Sequence, residues 1–74
     1  MKKILMGVVV EKDRQGYLSY CPTLQGCYTQ GRTYDEVIRN IKDAIRLHLE
    51  DRRSRKEKLP SPESVSFTAL EIAA

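Results

Sequence analysis

The 74 residues include no tryptophan, one phenylalanine, one histidine and two cysteines. A structural zinc site takes four Cys or His ligands, so Cys21, Cys27 and His48 fall short of one, and no metal or other cofactor is expected. The two cysteines allow at most one intrachain bridge, which would close a short loop and add little core. Reduced, partly buried thiols fit better, together with the cytoplasmic setting that keeps them reduced. No apolar run approaches the ~20 residues a membrane span requires. The start Met1-Lys2-Lys3, followed by a short apolar stretch, has the outline of a secretion signal. It lacks a small-residue cleavage site and runs straight into Glu11-Lys12-Asp13-Arg14, so a strand is expected there instead.

A chain this short buries roughly 60% of its extended surface, which leaves a marginal core unless another molecule extends it. Thirteen Lys and Arg against ten Asp and Glu leave a formal charge of +3. The excess is uneven. Arg52, Arg53, Arg55, Lys56 and Lys58 gather together, diluted by Asp51 and Glu57. At the end of a helix such cations offset the negative pole of the macrodipole and stay solvated.

Residues 3–12 read as a first strand, apolar at nearly every position from Ile4 to Val10, as in a strand with both faces covered. Asp13-Arg14-Gln15-Gly16 is a turn, with Gly where a positive φ is wanted. Residues 17–21 form a second strand, with Leu18 and Tyr20 on one face and Tyr17, Ser19 and Cys21 on the other. Residues 22–26 reverse the chain and residues 27–30 make a short third strand. Gly31 lets the backbone turn, and Thr33 with Glu36 three residues on is a capping box that opens a helix. Val37, Ile38, Ile41, Ala44, Ile45, His48 and Leu49 then fall on one stripe, and the helix should fade near Arg53. Leu59-Pro60-Ser61-Pro62 stops it and acts as a stiff link. Residues 65–72 complete the chain as a fourth strand whose apolar phase shifts between Ala69 and Leu70.

The order β-β-β-α-β defines an α+β domain. A right-handed crossover lays the fourth strand beside the first, giving a four-stranded mixed sheet of order 3-2-1-4 with one helix on one face. The other face has no cover within the chain, and large apolar faces are rarely left wet. Self-association or a partner surface follows.

Tyr20-x-Pro22-x-Leu24-x-Gly26-Cys27, then Gln30-Gly31-x-Thr33, Glu36 and Asn40-Ile41-Lys42-Asp43-Ala44-Ile45, resemble the HicB-like antitoxins. Leu59-Pro60-Ser61-Pro62 before a terminal strand is similar to the same family, and the likeness spans nearly the whole chain. The resemblance implies a degenerate, noncatalytic ribonuclease-H-like fold. It also implies binding to a small basic toxin ribonuclease that cleaves messenger RNA, self-association, and a type II toxin–antitoxin role. Tyr20, Pro22, Thr23, Leu24, Gln25 and Cys27 are then the toxin-contact candidates, while Gly26, Gly31, Thr33 and Glu36 serve the turn and the cap. Many family members carry a second, DNA-binding module. The chain stops at Ala74, directly after the last strand, so a single domain without that module is expected, and direct DNA binding is not. Thr23 and Arg32 stand where acidic residues are common in the family, and Gln25 where a second proline is usual.

Catalysis is not expected. Ribonuclease-H-type chemistry holds two metal ions with clustered carboxylates, one of them in the first strand, and residues 4–10 contain no acid. Cys21 or Cys27 with His48 lacks a third, orienting group, and a lone histidine on an apolar stripe is more often a packed core residue. Exposed Thr23, Leu24 and Gln25 suit a contact loop and a plain reversal about equally. The alternative function is RNA binding through Arg52, Arg53 and Arg55, although aromatic residues are not interleaved with that run as stacking platforms require.

Overall fold

A computed structural model describes residues 3–74, and the basic start at Met1-Lys2 lies outside them. Three strands, β1 (Val9–Asp13), β2 (Gly16–Tyr20) and β3 (Tyr28–Gly31), precede one helix, α1 (Tyr34–Ser54). The strands form an antiparallel meander of order β1-β2-β3, with Val10 opposite Ser19 and Tyr20 opposite Tyr28. The β1–β2 turn is closed by Asp13, whose Oδ1 accepts from the amides of Gln15 (2.8 Å) and Gly16 (3.2 Å). Gly16 supplies the positive φ, +141°.

Helix α1 begins as its sequence requires. Thr33 is extended (φ −131°, ψ 163°) and its Oγ1 accepts from the Glu36 amide at 3.1 Å. The reciprocal half of the expected box is displaced by one residue: Glu36 Oε1 accepts from the Arg32 amide (3.4 Å) instead of the cap's own. Val37 and Ile41 are buried, and Ile38, Ala44, Ile45, His48 and Leu49 are half-buried along the same stripe. At the far end Lys56 takes the left-handed position usual for glycine (φ 59°), so that its amide and that of Glu57 donate to the carbonyls of Arg53 and Arg52.

The core lies between α1 and one face of the sheet. Cys21, Leu24, Cys27 and Ile41 form it, with Met6, Val8, Ala44 and Ile45 packed around them. Ser19 is fully buried on this face, and its Oγ meets Thr29 Oγ1 at 2.9 Å, so the buried hydroxyl is paired. Asn40 Nδ2 donates to the Gln30 carbonyl (2.9 Å), tying the helix to β3. Tyr17 packs edge-on to Tyr34, with ring centroids 6.3 Å apart.

Three expectations are corrected. The first ladder begins at Val9, not at residue 3, and the third at Tyr28, because Cys27 turns into the core instead of the sheet. The four-stranded sheet of order 3-2-1-4 is not formed among the described residues: residues 65–72 have no ladder, which leaves β1 at an edge and not in the interior. The segment still reaches the N-terminal stretch. A Cβ on Gly7 would overlap the Val65 side chain and lie 2.7 Å from Phe67 Cζ. Met6 and Val8 point to the core, so Gly7 between them faces the helix-free side, and Val65 with Phe67 covers part of that side. The alternation that suits Val65 and Phe67 turns Leu70 and Ile72 the other way, where a single copy leaves both exposed.

Candidate functional site

Between β2 and β3 the chain makes two overlapping tight turns. The Leu24 amide donates to the Cys21 carbonyl (3.0 Å) and the Cys27 amide to the Leu24 carbonyl (3.2 Å). Cys21 N–H closes the unit on the Cys27 carbonyl at 3.0 Å. Pro22 stands second in the first turn, where its fixed φ fits. Gly26 stands third in the second turn, at φ +79°, where a type II turn needs a positive φ. Gly31 has another reason than the one expected. A Cβ there would lie 2.7 Å from Val37 N, so it permits close approach of β3 to α1.

The six contact candidates divide. Leu24 was expected to be exposed and is instead 1% exposed, a plug beneath the loop; Cys27 is likewise core. Each carries out a packing task that leaves nothing for a partner to touch. Pro22, Thr23 and Gln25 are exposed on the loop's outer side, and Tyr20 is half-buried. Tyr20 and Leu18 point away from α1, and the register brings Tyr28 beside Tyr20. Tyr28 is 66% exposed, and sequence reasoning did not place it beside Tyr20. The signal was present: pairing the two strands across the 22–26 reversal sets the two tyrosines side by side on the open face. Leu18, Tyr20 and Tyr28 thus share the helix-free face, with Val9 opposite Tyr20 and the polar Glu11 and Gln30 opposite Leu18.

Both cysteines are free and buried. Burial pushes the Cys27 thiol up from its usual value, and the neighbouring Cys21 adds to the effect. The thiolate is thus disfavoured in the fold but not in the open chain, whose thiol ionises near pH 8.5. This contribution to stability is complete below that pH and is lost as pH rises through the higher folded value. Alkylation with iodoacetamide at pH 8 should be slower in the folded chain than in urea by on the order of 100-fold, matching the opening free energy that exposes a core thiol. Equal rates in the two states would remove both thiols from the core.

His48 is half-buried on α1 and lies outside the cysteine cluster. Among the described residues no three His, Cys, Asp or Glu side chains group to hold a metal ion. The basic run is partly self-neutralised: Arg55 Nη2 contacts Asp51 Oδ2 at 2.8 Å and Glu57 Oε2 at 3.2 Å. Among the described residues no helix is long and apolar enough to cross a membrane.

A three-stranded antiparallel sheet with a helix on one face and exposed aromatic groups on the other is the build of a small α+β domain. Residues 6–71 match the family described as HicB_like antitoxin of bacterial toxin-antitoxin system, and the chain belongs to it. A UPF0150 protein of Helicobacter pylori is 40% identical over 70 residues, covering 95% of this chain and 97% of the relative. The UPF0150 protein Ta0767 of Thermoplasma acidophilum is 40% identical over 62 residues, covering 82% and 90%. The UPF0150 protein ssr1765 of Synechocystis is 37% identical over 59 residues, covering 78% and 75%. No solved structure matches this chain.

Proposed function

We propose that this chain is a noncatalytic, cytoplasmic antitoxin that binds a small mRNA-cleaving toxin and blocks its RNA site sterically. The observation that carries the reading is the open sheet face, where Leu18 and Tyr28 stand exposed beside Tyr20. A surface of that kind is anchored by aromatic groups, the residue type enriched where contacts contribute most to affinity. Pro22, Thr23 and Gln25 are exposed on the loop that joins the strands of Tyr20 and Tyr28. Family membership supplies the class of partner, a toxin. A ribonuclease-H-like arrangement and self-association belong to the same reading.

Charge separates this reading from RNA binding. At +3 the chain has no long-range attraction to a basic toxin, so the contact rests on short-range burial. Copurification with the product of the neighbouring gene should survive added salt, whereas an RNA contact through Arg52, Arg53 and Arg55 weakens steeply with it. Leu18→Asp with Tyr28→Asp should weaken toxin binding by about 100-fold or more and abolish rescue of growth, with the helix signal retained. Failure to capture any toxic partner, together with salt-sensitive RNA binding lost on neutralising Arg52 and Arg53, would replace this reading with the second one.

A further inference from the structure

Between the N-terminal stretch and α1 lies a groove of about 810 Å³, walled by Met6 and Val8 on one side and by Ile38, Ile45 and Leu49 on the other. That is far more than a water-sized packing fault. The chain's own tail does not fill it. Val65 and Phe67 lie against Gly7 on the opposite side of the N-terminal stretch, and among the described residues nothing after Arg53 lines the groove. Leu18, Tyr20 and Tyr28 take no part in it either.

Charge is concentrated on its rim. Lys3 stands on one wall and Lys42, Arg46 and Arg53 on the other, against one acid, Glu50. The excess of three cations equals the formal charge of the whole chain, +3. All four basic side chains are exposed, and among the described residues only Arg46 is in an ion pair, with exposed Asp43 at 3.3 Å.

We propose that this groove receives an acidic amphipathic helix of another protein, its apolar ridge against Ile38, Ile45 and Leu49 and its flanking carboxylates on the cations of the two walls. Length, charge spacing and charge position choose this occupant. From Ile38 to Arg53 the groove follows α1 for about 22 Å, the length of a helix of roughly 15 residues. A fatty acid carries one charge at one end, whereas the cations recur along the groove at Lys42, Arg46 and Arg53. A strand turns its polar side chains away from the surface its apolar face covers, whereas a helix sets them along both flanks of its ridge, level with the walls. The same rim repels a basic toxin, so the groove and the helix-free face suit different partners. The inference therefore stands apart from the toxin reading.

The probe is a synthetic 16-residue peptide with leucine at helical i, i+3, i+4, i+7 spacing and glutamate along both flanks. Fluorescence anisotropy at low salt should give a dissociation constant on the order of 10 µM. Lys42→Glu with Arg46→Glu should weaken binding about 30-fold, the combined effect of losing and inverting exposed ion pairs. A peptide with lysine for every glutamate should bind this variant as the acidic peptide binds the wild-type chain, a reciprocal rescue that a misfolded variant cannot give. Methyl resonances of Ile38, Ile45 and Leu49 should shift on binding, and those of Leu18 should not. Equal binding of the two peptides to the wild-type chain, or shifts at Leu18 instead, would overturn the proposal. So would palmitate binding more tightly than the acidic peptide, which makes the groove a lipid site. The same methyls shifting on dilution of the chain alone would also overturn it, in favour of contact between copies. Toxin binding through Leu18 and Tyr28 bears on none of these results.

Discussion

Leu24→Ala is expected to lower the stability of this domain by about 3 kcal/mol, more than any other change in the 22–26 loop. The side chain is 1% exposed and packs with Cys21, Cys27 and Ile41, so truncation leaves a void at the centre of the only cluster of buried residues described. Leu→Ala at such sites costs about 2–5 kcal/mol, the transfer term plus the cavity term. The loop around it is held by three backbone hydrogen bonds and resists collapse into the space. For a domain of this size the loss corresponds to a fall in Tm of roughly 10–20 °C. Thr23→Ala and Gln25→Ala, one residue to either side, should change stability by less than about 0.5 kcal/mol, since both are exposed. Urea titration of the three variants gives the comparison. A Leu24→Ala cost under about 1 kcal/mol would return Leu24 to the contact surface and dissolve the division of labour within the loop.

That division shows where the sequence could be read and where it could not. The helix stripe, the cap at Thr33, the turn glycines at 16 and 26 and the opposite facing of Ser19 and Leu18 all follow from local spacing, and the structure has each of them. What failed were the readings of Leu24 and of residues 65–72, each of which turned on a distant partner. Leu24 looks like a loop tip because its neighbours are Pro, Thr, Gln and Gly; only the two stacked turns, which point it inward, make it core. Residues 65–72 have the composition of a strand, but a strand exists only where another backbone meets it, and within one copy none does.

The same contrast bears on the family motif. Gly26 and Gly31 solve backbone problems, Leu24, Cys27, Ile41 and Ile45 fill or flank the core, Thr33 and Glu36 satisfy helix amides, and Asn40 pins the helix to β3. Nearly every motif residue is thus occupied in holding the fold. The likeness identifies the scaffold strongly and the contact residues weakly, which is why Tyr28, outside the motif, emerged only from the register of β2 and β3.

Gly31→Ala is the second large effect. It is expected to cost about 2–3 kcal/mol, and Gly31→Val more, because the added Cβ would meet Val37 N at 2.7 Å and Val37 Cα and Cβ at 3.0 Å. Those atoms belong to the first turns of α1, so relief requires the helix to move off β3, stretching the Asn40–Gln30 bond and opening the core at Ile41. Gly26→Ala provides the control. Nothing lies within 4 Å of its added Cβ, so only the strain of φ +79° remains, about 1 kcal/mol. Val37→Ala should not rescue Gly31→Ala, since alanine keeps all three of the obstructing atoms. If denaturant titration ranked Gly26→Ala above Gly31→Ala, or if Val37→Ala restored the loss, the helix would not be held against β3 by backbone approach, and the seat of the core above the sheet would need another explanation.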